Sequence, residues 1–202
     1  MPHQRRRRDE ARAAAAGLRE GKEDGLRLVH AHTVEGLYWK ALRGRVSASL
    51  KAELKSLGLD LDSKAVDVQQ EVWVKMLAAT VRDLWPNLSA DEGYYRLGEL
   101  IVQGYETTIM GKALFAMMKL LGPHRVLKRA TSSLQNANTY STAEVKPLGG
   151  NRYEVWTNEC NGNANYLRAV LFSALSHAGA AGLQVKVLTY DGHAASFDIS
   201  WS

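Results

Sequence analysis

The residue best placed to do chemistry is a histidine at a break between two helical stretches. Residues Leu97–Arg129 form a long apolar helical run that stops at Gly122-Pro123 and restarts as a short basic helix. Proline suits the first position of a helix, so His124 falls second. The positive end of the helix dipole disfavours an imidazolium there, and a neutral imidazole is a competent metal ligand. Phe115, Met117, Met118, Leu120 and Leu121 precede it and supply the apolar wall that an axial haem ligand would want. The competing reading is a plain histidine at a helix start, with methionines filling core gaps. No second member of a site accompanies His124, so the expectation is a structural, cofactor-free residue.

The other polar groups are weaker candidates. His30 and His32 would share one face of a strand, but no third ligand stands near them in sequence. Cys160 is the single cysteine, and the adjacent Glu159 raises a thiol pKa and opposes nucleophilic chemistry. Asn158, Asn161, Asn163 and Asn165 around it are expected to serve turns and the cap of the next helix. Asn136, Asn138 and Tyr140 make a second polar loop that can line a pocket. The candidate ligand-binding set is therefore His124, Phe115, Met118, Asn138 and Tyr140, with no metal site and no catalytic residue. No GxSxG, phosphate loop, HExxH or GxGxxG pattern occurs.

These residues have to be positioned by two halves of different period. Leu26–Val29 reads as a short strand, and Val34–Leu42 as a helix. Ser47 caps a second helix that Gly58 stops, and Asp67 is expected to cap a third, which Pro86 ends. Ser89 to Glu92 is a capping-box signature for a fourth helix expected to run on to Leu121. Within it, Gly98, Gly104 and Gly111 point to close helix approach or a bend.

From about Thr142 the period changes from 3.6 to 2. Thr142–Pro147 and Arg152–Glu159 read as strands joined around Gly149-Gly150. The helix Ala164–His177 follows, terminated by Gly179. A final hairpin has Val185/Val187 and Phe197/Ile199/Trp201 as inward rows, with Asp191-Gly192 as a type I′ turn. The expected fold is α+β, with a helical half first and then a four-stranded antiparallel ββαββ sheet packed by a helix. Residues 1–27 are expected to form a flexible basic tail. Residues 28–202 make a single domain, helical over 28–135 and sheet over 136–202.

Charge narrows the partners. The 202-residue chain carries a formal charge of +5, but residues 1–30 hold eight Lys/Arg against five acids, leaving 18 against 16 in the rest. A near-neutral body is a poor match for a polyanion, so nucleic acid is not expected. The arginines at Arg5–Arg8 precede a stretch too charged for a secretory core. The run Ile109–Leu121 contains Lys112 and Lys119 and is shorter than the ~20 apolar residues a span requires. A lone cysteine fits a reducing compartment. The expectation is a cytoplasmic protein off the membrane.

Several stretches resemble a family of uncharacterised proteins expanded in myxobacteria and their relatives. They are VEGLYWKALRGRVSASLKAELKSLGLDLD, GYETTIMGKAL, LLGPHRVLKRATSSLQNANTY and the terminal GHAASFDISW. That resemblance covers about residues 28–202 and lends no activity. The plan of helices, a short helix bearing a histidine, and two hairpins with an intervening helix is also similar to the haem nitric-oxide/oxygen-binding (H-NOX) domain. There a histidine on such a helix ligates haem iron, and His124 is the matching position. That family's Tyr-x-Ser-x-Arg propionate signature has no counterpart here, where the region reads Tyr153-Glu-Val-Trp-Thr-Asn. The resemblance thus implies the fold, with an empty or repurposed pocket. The leading expectation is a non-catalytic sensor or protein-interaction domain in cytoplasmic signalling that takes a small apolar ligand or a protein partner, a homodimer included. The alternatives are a haem-binding gas sensor through His124, and an enzyme of unknown reaction with Tyr140 as its acid or base.

Overall fold

The computed structural model describes residues 25–202, so the basic tail expected over residues 1–27 falls almost wholly outside the described residues. Leu28–Val29 (β1) pairs antiparallel with Val68–Gln69 (β2). Between them run Ala31–Glu35 (α1), which widens into the π-helical turn Gly36–Ala41, and Ala48–Ser56 (α2). Gln70–Leu84 (α3), Ala90–Glu106 (α4), Ile109–Lys128 (α5) and Ala130–Gln135 (α6) complete the helical half. The sheet half holds Ala143–Gly149 (β3), Arg152–Thr157 (β4), Ala164–His177 (α7), Gln184–Tyr190 (β5) and Ala195–Ser200 (β6). The four strands lie in the order β3-β4-β6-β5, every neighbour antiparallel. The α+β expectation, helices first and ββαββ after, is what the chain adopts.

Three local expectations need correction, each for a reason visible in the side-chain bonding. Asp67 does not cap α3. Its carboxylate accepts from the Ala31 backbone N–H at 2.7 Å, capping α1 across the β1–β2 pair, while α3 starts three residues later behind Gln69. The fourth helix does not run on to Leu121. Thr107 and Thr108 turn their hydroxyls back onto the carbonyls of Gly104 and Tyr105, each at 2.7 Å. Thr108 then accepts from Gly111 N at 2.9 Å, so it ends α4 and caps α5 at once. The last hairpin does not close with a two-residue type I′ turn. Only Gly192 has a positive φ (102°), and Asp191 instead accepts from His193 N and Ala194 N in a four-residue Asx-type loop.

Other sequence signals act as read. Ser47 and Ser89 accept from Leu50 N and Glu92 N at their helix starts. Gly122 takes φ 73°, ψ 166°, which breaks α5 in front of Pro123. One more reading differs: His30 and His32 lie at the start of a helix rather than in a strand, their rings stacked 5.5 Å apart.

Two apolar cores result. One gathers Leu37, Leu54, Trp73, Leu77 and Leu97 among the helices. The other packs Val155, Phe197 and Ile199 of the sheet against Leu167 and Leu175 of α7, with Leu127 from α5. Helices α4 and α7 cross where the cores meet. Gly98 permits this crossing, since a Cβ there would collide with the Tyr166 carbonyl and the Ala169 methyl.

Candidate functional site

Where the two cores meet, the packing leaves a void. It is a cavity of about 140 Å³ between α4, α5, α6 and α7. Ile101 and Val102 from α4, Phe115 and Met118 from α5, and Leu171 and Ala174 from α7 form its apolar walls. Each comes from the inward stripe of its helix, so the cavity follows from three amphipathic faces meeting without enough volume to fill the centre. Typical interiors leave few voids larger than a water molecule, and a mainly apolar pocket of this volume has room for a benzene-sized guest.

Its walls carry few polar groups. Tyr105 stands on one side, 8% exposed, and its buried hydroxyl has no hydrogen-bond partner. Burial pushes the Tyr105 pKa up, so the phenol stays protonated at neutral pH. Asn138, Glu159 and Asn161 close one end. The Glu159 carboxylate is buried, yet it is held by Arg27 Nη2 at 3.1 Å, Gln70 Nε2 at 2.9 Å and the Asn161 backbone N–H at 2.8 Å. His193 Nδ1 approaches the same carboxylate at 3.8 Å. Thus Glu159 joins the start of the domain, α3 and the last hairpin at one point.

The residues singled out in the sequence fall in different places. Phe115, Met118 and Asn138 line the cavity. Tyr140 sits beside it, half-buried, donating its hydroxyl to Asn161 Oδ1 at 2.6 Å under the Arg27 guanidinium. Burial first, then the Tyr166 and Glu159 charges, push its pKa far above the ordinary tyrosine value. His124 is elsewhere. It is exposed on the sheet side of α5, with Nδ1 2.6 Å from the Tyr153 hydroxyl. Its ring packs 4.9 Å from Trp201, which stacks on Tyr153. The Gly122 break and the aromatic pair on the sheet turn it away from the void.

Cys160 is buried, and burial together with Glu159 and Asp191 pushes its thiol up to about 12, so no reactive thiolate is present near neutral pH. The neighbouring asparagines serve the backbone, Asn163 accepting from Asn165 N and Asn158 from Thr142 N, each at 2.8 Å. Among the described residues, no group of three His, Cys, Asp or Glu could hold a metal ion. No helix among them is long and apolar enough to cross a membrane.

Sequence reasoning missed Tyr105, Glu159 and the α7 wall. Tyr105 reads as an ordinary member of an apolar stripe, and only the bonding around it shows its hydroxyl to be orphaned. Glu159 looks solvated in an Asn-rich loop, and nothing local shows that Arg27 and Gln70 converge on it.

Comparison with known proteins places this geometry in a wider setting. The family model described as a protein of unknown function, DUF2378, matches residues 27–202. No curated protein matches the sequence. Among solved structures, the chain is similar to an H-NOX protein from S. oneidensis in the Fe(II) ligation state, a mutant form. The TM-score is 0.64 at 14% identity, covering 86% of this chain and 96% of that one. An oxygen-binding H-NOX domain related to soluble guanylate cyclases, in its oxygen complex, aligns with TM-score 0.62 at 14% identity over 85% and 95% of the two chains. The Fe(II) unliganded H-NOX protein from K. algicida gives 0.57 at 12% identity over 85% and 95%. At these identities the likeness is one of fold.

Proposed function

We propose that this chain, which belongs to the DUF2378 family of proteins of unknown function, is a sensor domain that binds a small apolar molecule between its two halves. The observation that carries the reading is the cavity of about 140 Å³ with one unpartnered buried hydroxyl, Tyr105, in its wall. An unpaired buried hydroxyl costs about 1–3 kcal/mol, and a ligand with a carbonyl or ether oxygen recovers that cost. The ligand class is therefore a benzene-sized apolar body carrying one acceptor. H-NOX neighbours described as oxygen-binding and Fe(II) proteins share the fold, which is in keeping with a ligand-binding role.

Haem itself does not fit these residues. Cofactor pockets run to roughly 300–1,000 Å³, well above the void here. No histidine is in its wall, and His124 faces Tyr153 and Trp201 instead. The enzyme reading finds little support either. Tyr140 is held protonated and its proton is committed to Asn161, so it is poorly suited to acid–base work at neutral pH.

Titration of the protein with benzene and with acetophenone, followed by amide NMR, tests the reading. Both probes should shift resonances of α4, α5 and α7, and Ala174→Phe should block both. Tyr105→Phe should weaken acetophenone while leaving benzene unchanged. Absence of binding by either probe up to its solubility limit would overturn the proposal.

A further inference from the structure

We infer that the ligand of the cavity carries a second hydrogen-bond acceptor, taken up by the side-chain amides of Asn138 and Asn161, and no negative charge. This rests on the ligand reading above and extends it from one polar contact to two. Asn138, Ser141, Glu159 and Asn161 line the cavity, each less than a tenth exposed. What a guest meets among them depends on which atoms the protein has already used. Asn138 Oδ1 accepts from two backbone N–H groups, those of Tyr140 at 3.1 Å and Ser141 at 2.7 Å. A backbone N–H can only donate, so these bonds fix which way round the amide lies. The oxygen is tied to its own loop, and the NH2 is left for the cavity. Asn161 is arranged alike, with Oδ1 accepting the Tyr140 hydroxyl at 2.6 Å. Among the described residues, neither NH2 group has a partner within the protein.

The carboxylate at this end is already engaged. Glu159 Oε1 takes the Asn161 backbone N–H, and Oε2 takes Arg27 and Gln70. Together with the unpartnered Tyr105 hydroxyl, the wall thus offers a guest N–H and O–H groups. Such groups recognise a carbonyl oxygen, an ether oxygen or a ring nitrogen. They would hold a carboxylate as well, but charge decides against it. Glu159 stands at the same end, and the Arg27 guanidinium is bonded to it and lies over the Tyr140 ring. A second anion would lose its water in a mainly apolar cavity beside a like charge. The ligand class is therefore a neutral ring with acceptors on two sides and no acidic group, such as a diazine or a cyclic diketone.

Pyrazine is the probe, since it has the shape of benzene with an acceptor nitrogen on opposite sides and is uncharged at neutral pH. Amide NMR titration of the full chain should place it among α4, α5 and α7, where benzene binds. Asn138→Asp keeps an oxygen for the Tyr140 and Ser141 amides, whose bonds favour its ionised form, and removes the NH2. It should weaken pyrazine about fivefold, the worth of one hydrogen bond, and leave benzene unchanged. The unaltered protein has its own readout. The side-chain NH2 protons of Asn138 and Asn161 should move further downfield with pyrazine than with benzene, whose ring current is alike. Benzoate, close to acetophenone in size, should not bind. If benzene binds but pyrazine is indifferent to Asn138→Asp and leaves those NH2 protons where benzene does, this inference falls and the ligand reading stands. Benzoate binding as tightly as acetophenone would have the same result. Binding by none of the probes would overturn both.

Discussion

A single hydroxyl separates an inert void from a selective one. Tyr105 is buried in the cavity wall with its O–H unsatisfied. Replacing it by phenylalanine removes an unpaired donor and keeps the ring that packs edge-on against Phe115. Tyr105→Phe should therefore hold or raise stability, by up to about 1 kcal/mol in urea unfolding. Glu159 is the opposite case, because its carboxylate is fully engaged. Glu159→Leu removes the acceptor from Gln70 and the Asn161 amide and takes one carboxylate from Arg27, and should cost about 2–3 kcal/mol. Acid provides a further check at the hairpin. Backbone bonds from His193 and Ala194 hold Asp191 below the usual aspartate range, and the Arg152 guanidinium does the same for Asp198. Folded pKa values that are depressed contribute stability present above about pH 4 and lost as pH falls through the folded values. Unfolding midpoints measured between about pH 6 and pH 3 should fall with acid, and less steeply in Asp191→Asn. Such side-chain roles are barely legible in the sequence. Phe115, Met118 and Asn138 are recognisable as wall candidates by type, but Tyr105 and Glu159 acquire their meaning only from what surrounds them.

At the scale of elements, the periods and punctuation are legible and the breaks are not. Alternation in Gln184–Tyr190 and Ala195–Ser200, the Ser47 and Ser89 caps, and the glycine stop after Ala164–His177 depend on neighbours within a few residues. Thr107 and Thr108 break what reads as one helix because hydroxyl-to-carbonyl bonding leaves no mark on the apolar pattern. Asp67 is misread for a related reason: its partner, the Ala31 amide, lies 36 positions away. Close helix approach at Gly98 is foreseeable from residue type, and the structure gives it a partner. Gly98→Ala would drive a methyl into the Tyr166 carbonyl and the Ala169 side chain at the α4–α7 crossing. That overpacking should cost about 2–3 kcal/mol, measurable as a lowered urea midpoint. At Gly122 there is open space, but its φ of 73° strains any L side chain. Gly122→Ala should cost about 1–3 kcal/mol, because φ 73° with ψ 166° is a backbone region essentially confined to glycine, and an unchanged urea midpoint would mean that the break relaxes into another conformation.

The molecule as a whole is two cores meeting along a seam, and the seam holds the void. Its lining comes from Thr33 near one end of the domain to Leu175 near the other, so no window of sequence contains the site. Helix α5 lines the cavity on one side and carries an exposed apolar face on the other. The void has a mechanical consequence too. Empty volume inside a folded chain is eliminated on unfolding, so hydrostatic pressure favours the unfolded state in proportion to it, on the order of tens of mL/mol for a cavity of this size. Compression should act first on α4, α5 and α7, which have the least to lean on at their centre, ahead of the sheet beneath them. Tryptophan fluorescence under pressure should show a low unfolding midpoint for the free protein. Saturating benzene, by giving those helices something to press against, should raise it.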